Sequence, residues 1–392
     1  MYVGRLGARR QIKHLLDTEL VRGRLAALCD GEAVPAVPHG DTIDDYAATL
    51  DPSAVQAVVQ ALVRALLETR RIEPGRLLQK YYLMTLDLTG HLYLGDTPSA
   101  FTEGCLTQQA EDGRTLYFRS VCEAKLVTHK GHALSLGSEF VENPPGLDPA
   151  NDTQDSELPA AVRLARNVKR AFPGFAFCAL LDARYCNETG FALCRENDWR
   201  FIITLKEGSL PSVWNEFQTL RKLTADNSRQ VTLNNVTYHY TWVNGIPYGT
   251  HKLNVLECRF TDSHGDHCFV WVTDIEITAK NCHALAQGGR LRWKTENEGF
   301  RSQKHGGFQM EHAYAKRPNS AKVFYLLLQV AHTLSQMFEC YCRGKSHVKR
   351  AFGSLRNLAR LLLESLRRDP IPAPDTLNQF LHEPIQVRLN SP

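Results

Sequence analysis

The chain has 392 residues, of which 43% are hydrophobic and 22% are charged, and its formal net charge is +4. This composition is typical of a globular protein with a full core and excludes a largely disordered or fibrous chain. The small positive excess is compatible with a nucleic-acid partner but does not establish one. Basic residues are concentrated near both ends, where solvated helix faces and phosphate contacts are equally good interpretations. They are Arg5, Arg9, Arg10, Lys13, Arg22 and Arg24 at the start, and Lys345, Lys349, Arg350, Arg356, Arg360, Arg367 and Arg368 near the end.

Eleven cysteines are spread along the chain without a CxxC pair or a zinc-type spacing. This pattern indicates free thiols in a reducing compartment. The first residues lack the apolar stretch of a secretory signal, and the most apolar segment, 323–337, is too short and too polar to span a bilayer. We therefore expect a soluble cytoplasmic protein with no membrane partner.

The predicted elements begin with helices. Residues 1–40 have the pattern of a basic helix followed by a loop with proline and glycine. Asp51 and Pro52 then begin another helix, because aspartate is a favoured N-cap and proline is tolerated in the first turn. The apolar stripe of this helix consists of Val55, Val58, Leu62 and Leu66.

Three strands are predicted from Tyr81 onwards, followed by a helix, a strand, a second helix and another strand. The apolar run 81–87 is predicted to be a strand that stops at the turn signal Asp87-Leu-Thr-Gly90. Further strands are predicted at 116–127, 132–141, 175–182 and 200–206, with helices at 157–170 and 188–197. This order predicts an α/β fold whose sheet is antiparallel at its start and parallel in its continuation.

The pattern becomes purely β between residues 228 and 275, where polar and apolar residues alternate and tight-turn signals separate the runs. These features predict an all-β insertion with Trp242 and Trp271 in its own core. Helical patterning resumes near Asn281 and continues to Arg368, and a proline-rich tail follows.

Two of the predicted central strands end in an aspartate, namely Asp87 and Asp182. In open α/β sheets, ligands bind beyond the carboxyl ends of the strands. Two carboxylates at that edge would make an oxygen-rich site that suits Mg²⁺ or Mn²⁺. Taken singly, each residue is weak evidence, because aspartate also favours turns.

The segment 288–309 has helical periodicity and a high density of charge, and it supplies a third acid. Trp293 and Phe300 are seven residues apart, which predicts one core-facing side, and Glu296 falls on the same side. At about 100° per residue, Glu298 is rotated towards solvent. Because a carboxylate on a core-facing stripe is costly unless something binds it, we expect Glu296 to complete the metal site and keep Glu298 as a reserve candidate.

These residues resemble those of the bacterial insertion-sequence DDE transposases, in particular the group with a β-rich insertion before the catalytic glutamate. The resemblance covers about residues 40–340, and its most specific part is 292–312. The segments that carry it are Asp87-Leu-Thr-Gly90, Gln154-Asp-Ser-Glu157, Asp182-Ala-Arg-Tyr185, Arg292-Trp-Lys-Thr-Glu296-Asn-Glu-Gly-Phe300 with Lys304, and His305-Gly-Gly-Phe-Gln-Met-Glu311-His312.

The resemblance implies an RNase H-like mixed sheet flanked by helices, in which Asp87, Asp182 and Glu296 are catalytic and bind two Mg²⁺ (or Mn²⁺) ions. The implied partners are double-stranded DNA, as terminal inverted repeats and target DNA, and a second copy of the chain in a homodimer. A bacterial enzyme of this kind would be nucleoid-associated. Arg292, Arg301 and Lys304 are the candidate DNA contacts.

The sequence departs from the family pattern at three places. Leu88 stands where the group commonly has glycine after the first aspartate. The related signature has tyrosine three residues before the arginine and lysine seven after the glutamate, but this chain has Gly289 and Gln303 there. Lys304 is one residue beyond, so the choice between positions 303 and 304 stays open.

We divide the chain into five parts on this basis. They are a helical N-terminal segment that is a candidate for binding DNA ends (1–78), the first part of an RNase H-like core (79–225), the β-rich insertion (226–280), the last part of the core with the catalytic helix (281–345), and a basic helical C-terminal segment with a tail (346–392). Two other interpretations remain: an RNase H-like DNA nuclease, and an inactive, transposase-derived DNA-binding protein.

Overall fold

The structure is a computed structural model, and it describes residues 1–70, 72, 75–148, 152–223, 226–342 and 345–368. The predicted tail lies outside the described residues. The α/β class is confirmed, because a ten-stranded mixed sheet is flanked by helices.

The strands of the first half are β1 (Tyr82–Gly95), β2 (Leu106–Gln109), β3 (Thr115–Val127), β4 (Ala133–Val141), β5 (Phe177–Leu181) and β6 (Arg200–Thr204). The centre of the sheet is β1, which pairs antiparallel with β3 on one side and parallel with β5 on the other. β4 continues the antiparallel side beyond β3, and β6 continues the parallel side beyond β5. The sheet is therefore antiparallel at its start and parallel afterwards, as predicted.

The four strands of the second half are β7 (Ser228–Leu233), β8 (Val236–Tyr248), β9 (His251–Asp262) and β10 (Gly265–Thr273). They pair antiparallel in succession, and β10 joins the main sheet by pairing antiparallel with β6. Trp242 and Trp271 are buried in a cluster that also includes residues of the central strands. The β-rich stretch thus extends the central sheet and shares its core.

Helices cover both faces of the sheet. They are α1 (Arg10–Leu16), α2 (Glu19–Leu28), α3 (Gly40–Thr49), α4 (Pro52–Glu68), α5 (Glu157–Ala171), α6 (Glu188–Glu196), α7 (Pro211–Leu223), α8 (Cys282–Arg290), α9 (Arg301–His305), α10 (Pro318–Tyr341), α11 (Lys345–Phe352) and α12 (Leu355–Arg368). Alternate side chains of a strand point to opposite faces. Cys122 and Ala124 of β3 accordingly pack with α4 and α5, while Lys125 contacts Gln329 of α10 on the other face.

The predicted end of the first strand is wrong. β1 does not stop at Asp87 but continues to Gly95, because Leu88, Thr89 and Gly90 stay paired with β3. The turn signal was overridden by this long antiparallel pairing. The short strand β2 and the helices α3 and α7 have no counterpart among the predicted elements.

No single helix of the described chain is long and apolar enough to cross a membrane. The helices α3 and α4 pass such a test only as a pair, and they are bent by 94° relative to each other.

Candidate active site

Asp87 and Asp182 are brought side by side by the parallel pairing of β1 and β5. The register matches Met84 with Ala179 and Thr85 with Leu180. Two residues further along each strand, Asp87 is level with Asp182, which directly follows the last residue of β5. Both aspartates thus lie where β5 ends, although β1 itself continues past this level.

Arg292 connects Asp87 to Glu296. Its Nη1 atom donates a hydrogen bond to Oε1 of Glu296 at 3.1 Å and lies 3.8 Å from Oδ2 of Asp87. The guanidinium is also held over the ring of Trp293, 4.8 Å from the ring centroid. A single arginine nitrogen is therefore shared by two acids that come from distant parts of the sequence.

The electrostatics of Asp87 reflect this crowding. Its side chain is only 20% exposed, and burial raises the pKa of its carboxyl to about 7. Arg292 opposes the increase in pKa, whereas the charges of Glu296, Glu157 and Asp182 add to it. Like charges close together disfavour ionisation, so four carboxylates form one electrostatic unit at this edge of the sheet.

Glu157 is the member of this unit that sequence reasoning missed as a site residue. It is the first residue of α5, and its carboxylate accepts hydrogen bonds from Nη1 of Arg184 at 2.8 Å and from the hydroxyl of Tyr185 at 3.0 Å. Arg184 and Tyr185 belong to the 3₁₀ turn after Asp182, whose Oδ1 accepts from the backbone N–H of Arg184 at 2.9 Å. Glu157 therefore fixes the turn that presents Asp182.

The sequence signals for Glu157 were the segment Gln154-Asp-Ser-Glu157, which carries part of the resemblance, and its place at the start of a predicted helix. That place has an ordinary explanation, because acidic residues are stabilising in the first turn of a helix. Its proximity to Asp87 and Asp182 depends on how α5 packs against the sheet.

The geometric argument for Glu296 is wrong in its details. Trp293 is 52% exposed, and the side chain of Glu296, at 41% exposed, is more open than that of Glu298, at 31%. The segment is irregular: a 3₁₀ turn, Leu291–Trp293, is followed by a π-helical turn, Thr295–Phe300. Tighter and wider turns change the angle per residue, so the uniform 100° step does not apply.

Glu296 and Glu298 nevertheless have different surroundings. Glu296 points with Arg292 towards Asp87, whereas Glu298 forms an ion pair with Lys294 at 3.5 Å. The choice of Glu296 as the third acid thus has support from its contacts, although not from the buried stripe that the sequence suggested.

The three candidate DNA contacts lie in different settings. Arg292 is mostly buried between the acids, whereas Arg301 is exposed. Lys304 forms an ion pair with Glu311 at 2.9 Å and lines a groove with Gly90 and Tyr93 of β1, beyond Asp87. Lys304 therefore faces the surface on the same side of the sheet as the site.

Gly289 and Gln303, two departures from the signature of the group that the sequence resembles, have a structural reason. A Cβ atom at Gly289 would lie 2.6 Å from Nε1 of Trp271, so the indole occupies the space that a tyrosine would need. Gln303 is fully buried and hydrogen-bonds to Gln329 and His332 of α10. A lysine at this place would point into the core, which leaves Lys304 as the surface cation.

Asp87 and Glu296 share an ion pair with Arg292, and Asp182 accepts a backbone hydrogen bond from Arg184. Within the described ranges, no group of three His, Cys, Asp or Glu side chains is close enough together to hold a metal ion. The donor set is still all carboxylate oxygen, the ligand type that Mg²⁺ and Mn²⁺ prefer, and Arg292 supplies the positive charge in its place. The chemistry of these residues fits a hard divalent cation. In this structure the guanidinium of Arg292 lies between Asp87 and Glu296.

The sequence matches no protein-family model, and no curated protein is significantly similar to it.

Proposed function

We propose that this chain is a DNA transposase of the DDE type, which cleaves DNA at the ends of a mobile element and transfers the strands with the help of divalent metal ions. The observation that carries the proposal is that Asp87 lies level with Asp182 where β5 ends and that Arg292 links Asp87 to Glu296, although within the described residues no three such acids are close enough together to hold a metal ion. A scaffold role would not require like charges to be collected at one place, because their repulsion is costly.

The fold supports this proposal at a coarser level. An antiparallel start, a parallel continuation and helices on both faces are what the RNase H-like interpretation requires. The strands β7 to β10 lie between the second aspartate and the glutamate in sequence, as an insertion in that interpretation would.

Asp87, Asp182 and Glu296 would hold Mg²⁺ or Mn²⁺, and two such ions would activate the attacking oxygen and stabilise the leaving one. The protein itself holds Asp87 and Asp182 at the same level of the sheet. Arg292 pairs with the acids and excludes other cations until a substrate binds Arg292 instead. A DNA phosphate is the natural competitor, because arginine binds phosphate and carboxylate with the same fork of donors.

The proposed DNA partner would contact Arg292, Arg301 and Lys304, which lie on or beside the segment that carries Glu296. The basic N-terminal segment would bind the inverted repeats, and the active complex would be a homodimer in the bacterial cytoplasm, near the nucleoid. An RNase H-like nuclease would use the same acids without strand transfer. An inactive, transposase-derived DNA-binding protein would keep the basic residues and show no metal-dependent chemistry.

The test is cleavage of a plasmid that carries the inverted repeats flanking the gene, in the presence of Mg²⁺. Glu296→Gln should abolish cleavage and leave DNA binding in a gel-shift assay largely intact. Glu298→Gln is the matched control, since it changes an acid two residues away that pairs with Lys294 instead. Full cleavage by Glu296→Gln would refute the assignment.

The same assay separates the three functions. Strand-transfer products would support the transposase. Cleavage without such products would favour the nuclease, and binding without cleavage by the parent protein would favour the inactive form.

A further inference from the structure

We propose that a buried polar network on β3 and α10 positions the segment 295–303, and that Lys125 and Gln303 act as positioning residues for Glu296. The inference rests on the proposed function, since it assigns these residues a part in the same reaction. Neither residue touches the acids of the site.

The network begins at a buried ion pair on β3. Nζ of Lys125 lies 2.9 Å from Oε2 of Glu123, and both side chains are fully buried. Glu123 also accepts a hydrogen bond from Oγ of Ser135 at 2.9 Å and another from the hydroxyl of Ser138. The carboxylate is thus completely engaged inside the protein.

Lys125 extends from this pair to the segment that carries Glu296. Its Nζ donates to Oε1 of Gln329 at 3.3 Å and lies 5.3 Å from the centroid of the Phe300 ring. Its aliphatic part passes directly under Gly299, where a Cβ atom would come within 3.0 Å of Cδ. The absence of a side chain at position 299 therefore allows the backbone of the π-helical turn to rest on Lys125.

Gln303 attaches the end of the same segment. Its Nε2 lies 2.8 Å from Oε1 of Gln329 and 2.9 Å from Nδ1 of His332. His332 in turn contacts Nε2 of Gln336, which bonds to the backbone of Ala133 at the start of β4. The chain of hydrogen bonds joins the segment to both α10 and the sheet.

A third attachment lies at the start of the segment, where the hydroxyls of Thr295 and Thr85 are hydrogen-bonded and both residues are fully buried. The attachments at 295, 299 and 303 are four residues apart and face inwards. Glu296 and Lys304 each follow one of them by a single residue. A rotation or slip of the inner face would therefore move both of these outward side chains.

The polar character of this interface needs an explanation beyond stability. A buried ion pair contributes little net stability, because desolvation offsets the attraction between the charges. Hydrogen bonds are directional, however, and a fully satisfied network specifies one arrangement of the parts that it joins. This is useful under an irregular turn, where apolar packing alone would tolerate a slip.

The test uses the full-length protein with Glu123→Gln and Lys125→Met together. The pair removes both charges and keeps an amide for Ser135 and Ser138, so it avoids leaving one buried charge without its partner. Gln303→Met is the second variant and changes no charge. Lys294→Met is the control, because it removes a lysine that lies directly before the segment and pairs with the partly exposed Glu298.

Amide hydrogen exchange without DNA is the first readout. We expect exchange in 295–303 to accelerate at least about tenfold in both test variants, while β5 remains protected as in the parent. In the cleavage assay, kcat should fall by roughly 10- to 100-fold with KM for DNA unchanged, because small misplacements of a catalytic group cost rate. The Lys294→Met control should match the parent in both measurements.

Unchanged exchange in 295–303 together with parental kcat would overturn the inference and leave the network a structural role. If the double variant does not fold, Gln303→Met decides the matter by the same two readouts. If the parent itself shows no metal-dependent cleavage, the proposed function fails, and the exchange measurement still judges the positioning independently.

Discussion

Asp87 on β1 is level with Asp182 at the end of β5, because the register that pairs Thr85 with Leu180 advances by two residues on each strand. The two aspartates are separated by almost a hundred residues of sequence, and their alignment depends on one parallel pairing. The burial that accompanies this alignment raises the pKa of Asp87 to about 7.

Asp87→Asn should stabilise the metal-free protein at pH 8. The folded state binds the Asp87 proton more tightly than the unfolded state, where an ordinary carboxyl has a pKa of 3.8. The contribution of protonated Asp87 to the free energy of unfolding is therefore fully present below about pH 4, and it is lost as pH rises through about 7. The gain at pH 8 should be at most about 4 kcal/mol.

Urea unfolding of parent and variant between pH 4 and pH 8 measures this difference, which should vanish at the acidic end. A constant difference across the range would mean that Asp87 does not titrate as its burial implies. Asp152→Asn serves as a control at an exposed acid in the loop before α5.

Arg292→Gln should destabilise the metal-free protein, because the carboxylates of Asp87 and Glu296 would face each other without their shared cation. The expected loss is about 1 kcal/mol, since Glu296 is partly exposed and water screens the repulsion. Millimolar Mg²⁺ should restore most of the stability by replacing the missing charge. Melting temperatures with and without Mg²⁺ test this, and a variant that Mg²⁺ leaves unchanged would argue against a metal site here.

Glu157→Gln should loosen the turn that carries Asp182. The substitution removes the charge that holds Arg184 and retains an oxygen for the hydroxyl of Tyr185. We expect a loss of about 1–2 kcal/mol, because hydrogen bonds to charged groups contribute more than neutral ones, and a drop in cleavage rate at unchanged DNA affinity. Glu188→Gln, at a more exposed glutamate that pairs with His251, is the control; equal effects of the two changes would contradict a special role for Glu157.

Gly289→Ala should destabilise the protein by about 1–3 kcal/mol, as overpacking of a close-packed core does. The new Cβ would meet the indole of Trp271 at 2.6 Å, and Trp271 is itself buried. Gly23→Ala is a control with the opposite sign. It lies in α2 with open space around it, so a gain of about 0.5–1 kcal/mol is expected from helix propensity. Chemical denaturation measures both changes, and a neutral Gly289→Ala would mean that Trp271 can move aside.

Local sequence patterns were sufficient for several elements of the fold. The predicted helix 157–170 is present as α5, and the predicted strands 175–182 and 200–206 are present as β5 and β6. Each is defined by its own periodicity and by cap or turn residues at its ends. Such signals depend on neighbours in the chain, so they can be read without knowing the tertiary structure.

The site itself was only partly visible in this way. The composition of the strand ends and of 292–304 suggested Asp87, Asp182 and Glu296, but the length of β1 and the exposure of Trp293 were predicted incorrectly. Pairing with β3 carries β1 past its turn signal, and a π-helical turn breaks the regular period around Glu296. Both are decided by contacts with other parts of the chain.

The positioning roles proposed for Glu157, Lys125 and Gln303 came only from the tertiary structure. Their importance comes from what lies within a few ångströms of each side chain, namely Arg184 and Tyr185 for the first and the residues of α10 for the others. Sequence by itself determined the candidate residues Asp87, Asp182 and Glu296 and roughly which element holds each. The register of β1 against β5 and the packing of α5 and α10 decided which of them meet, because distances across a fold depend on non-local packing that no local pattern records.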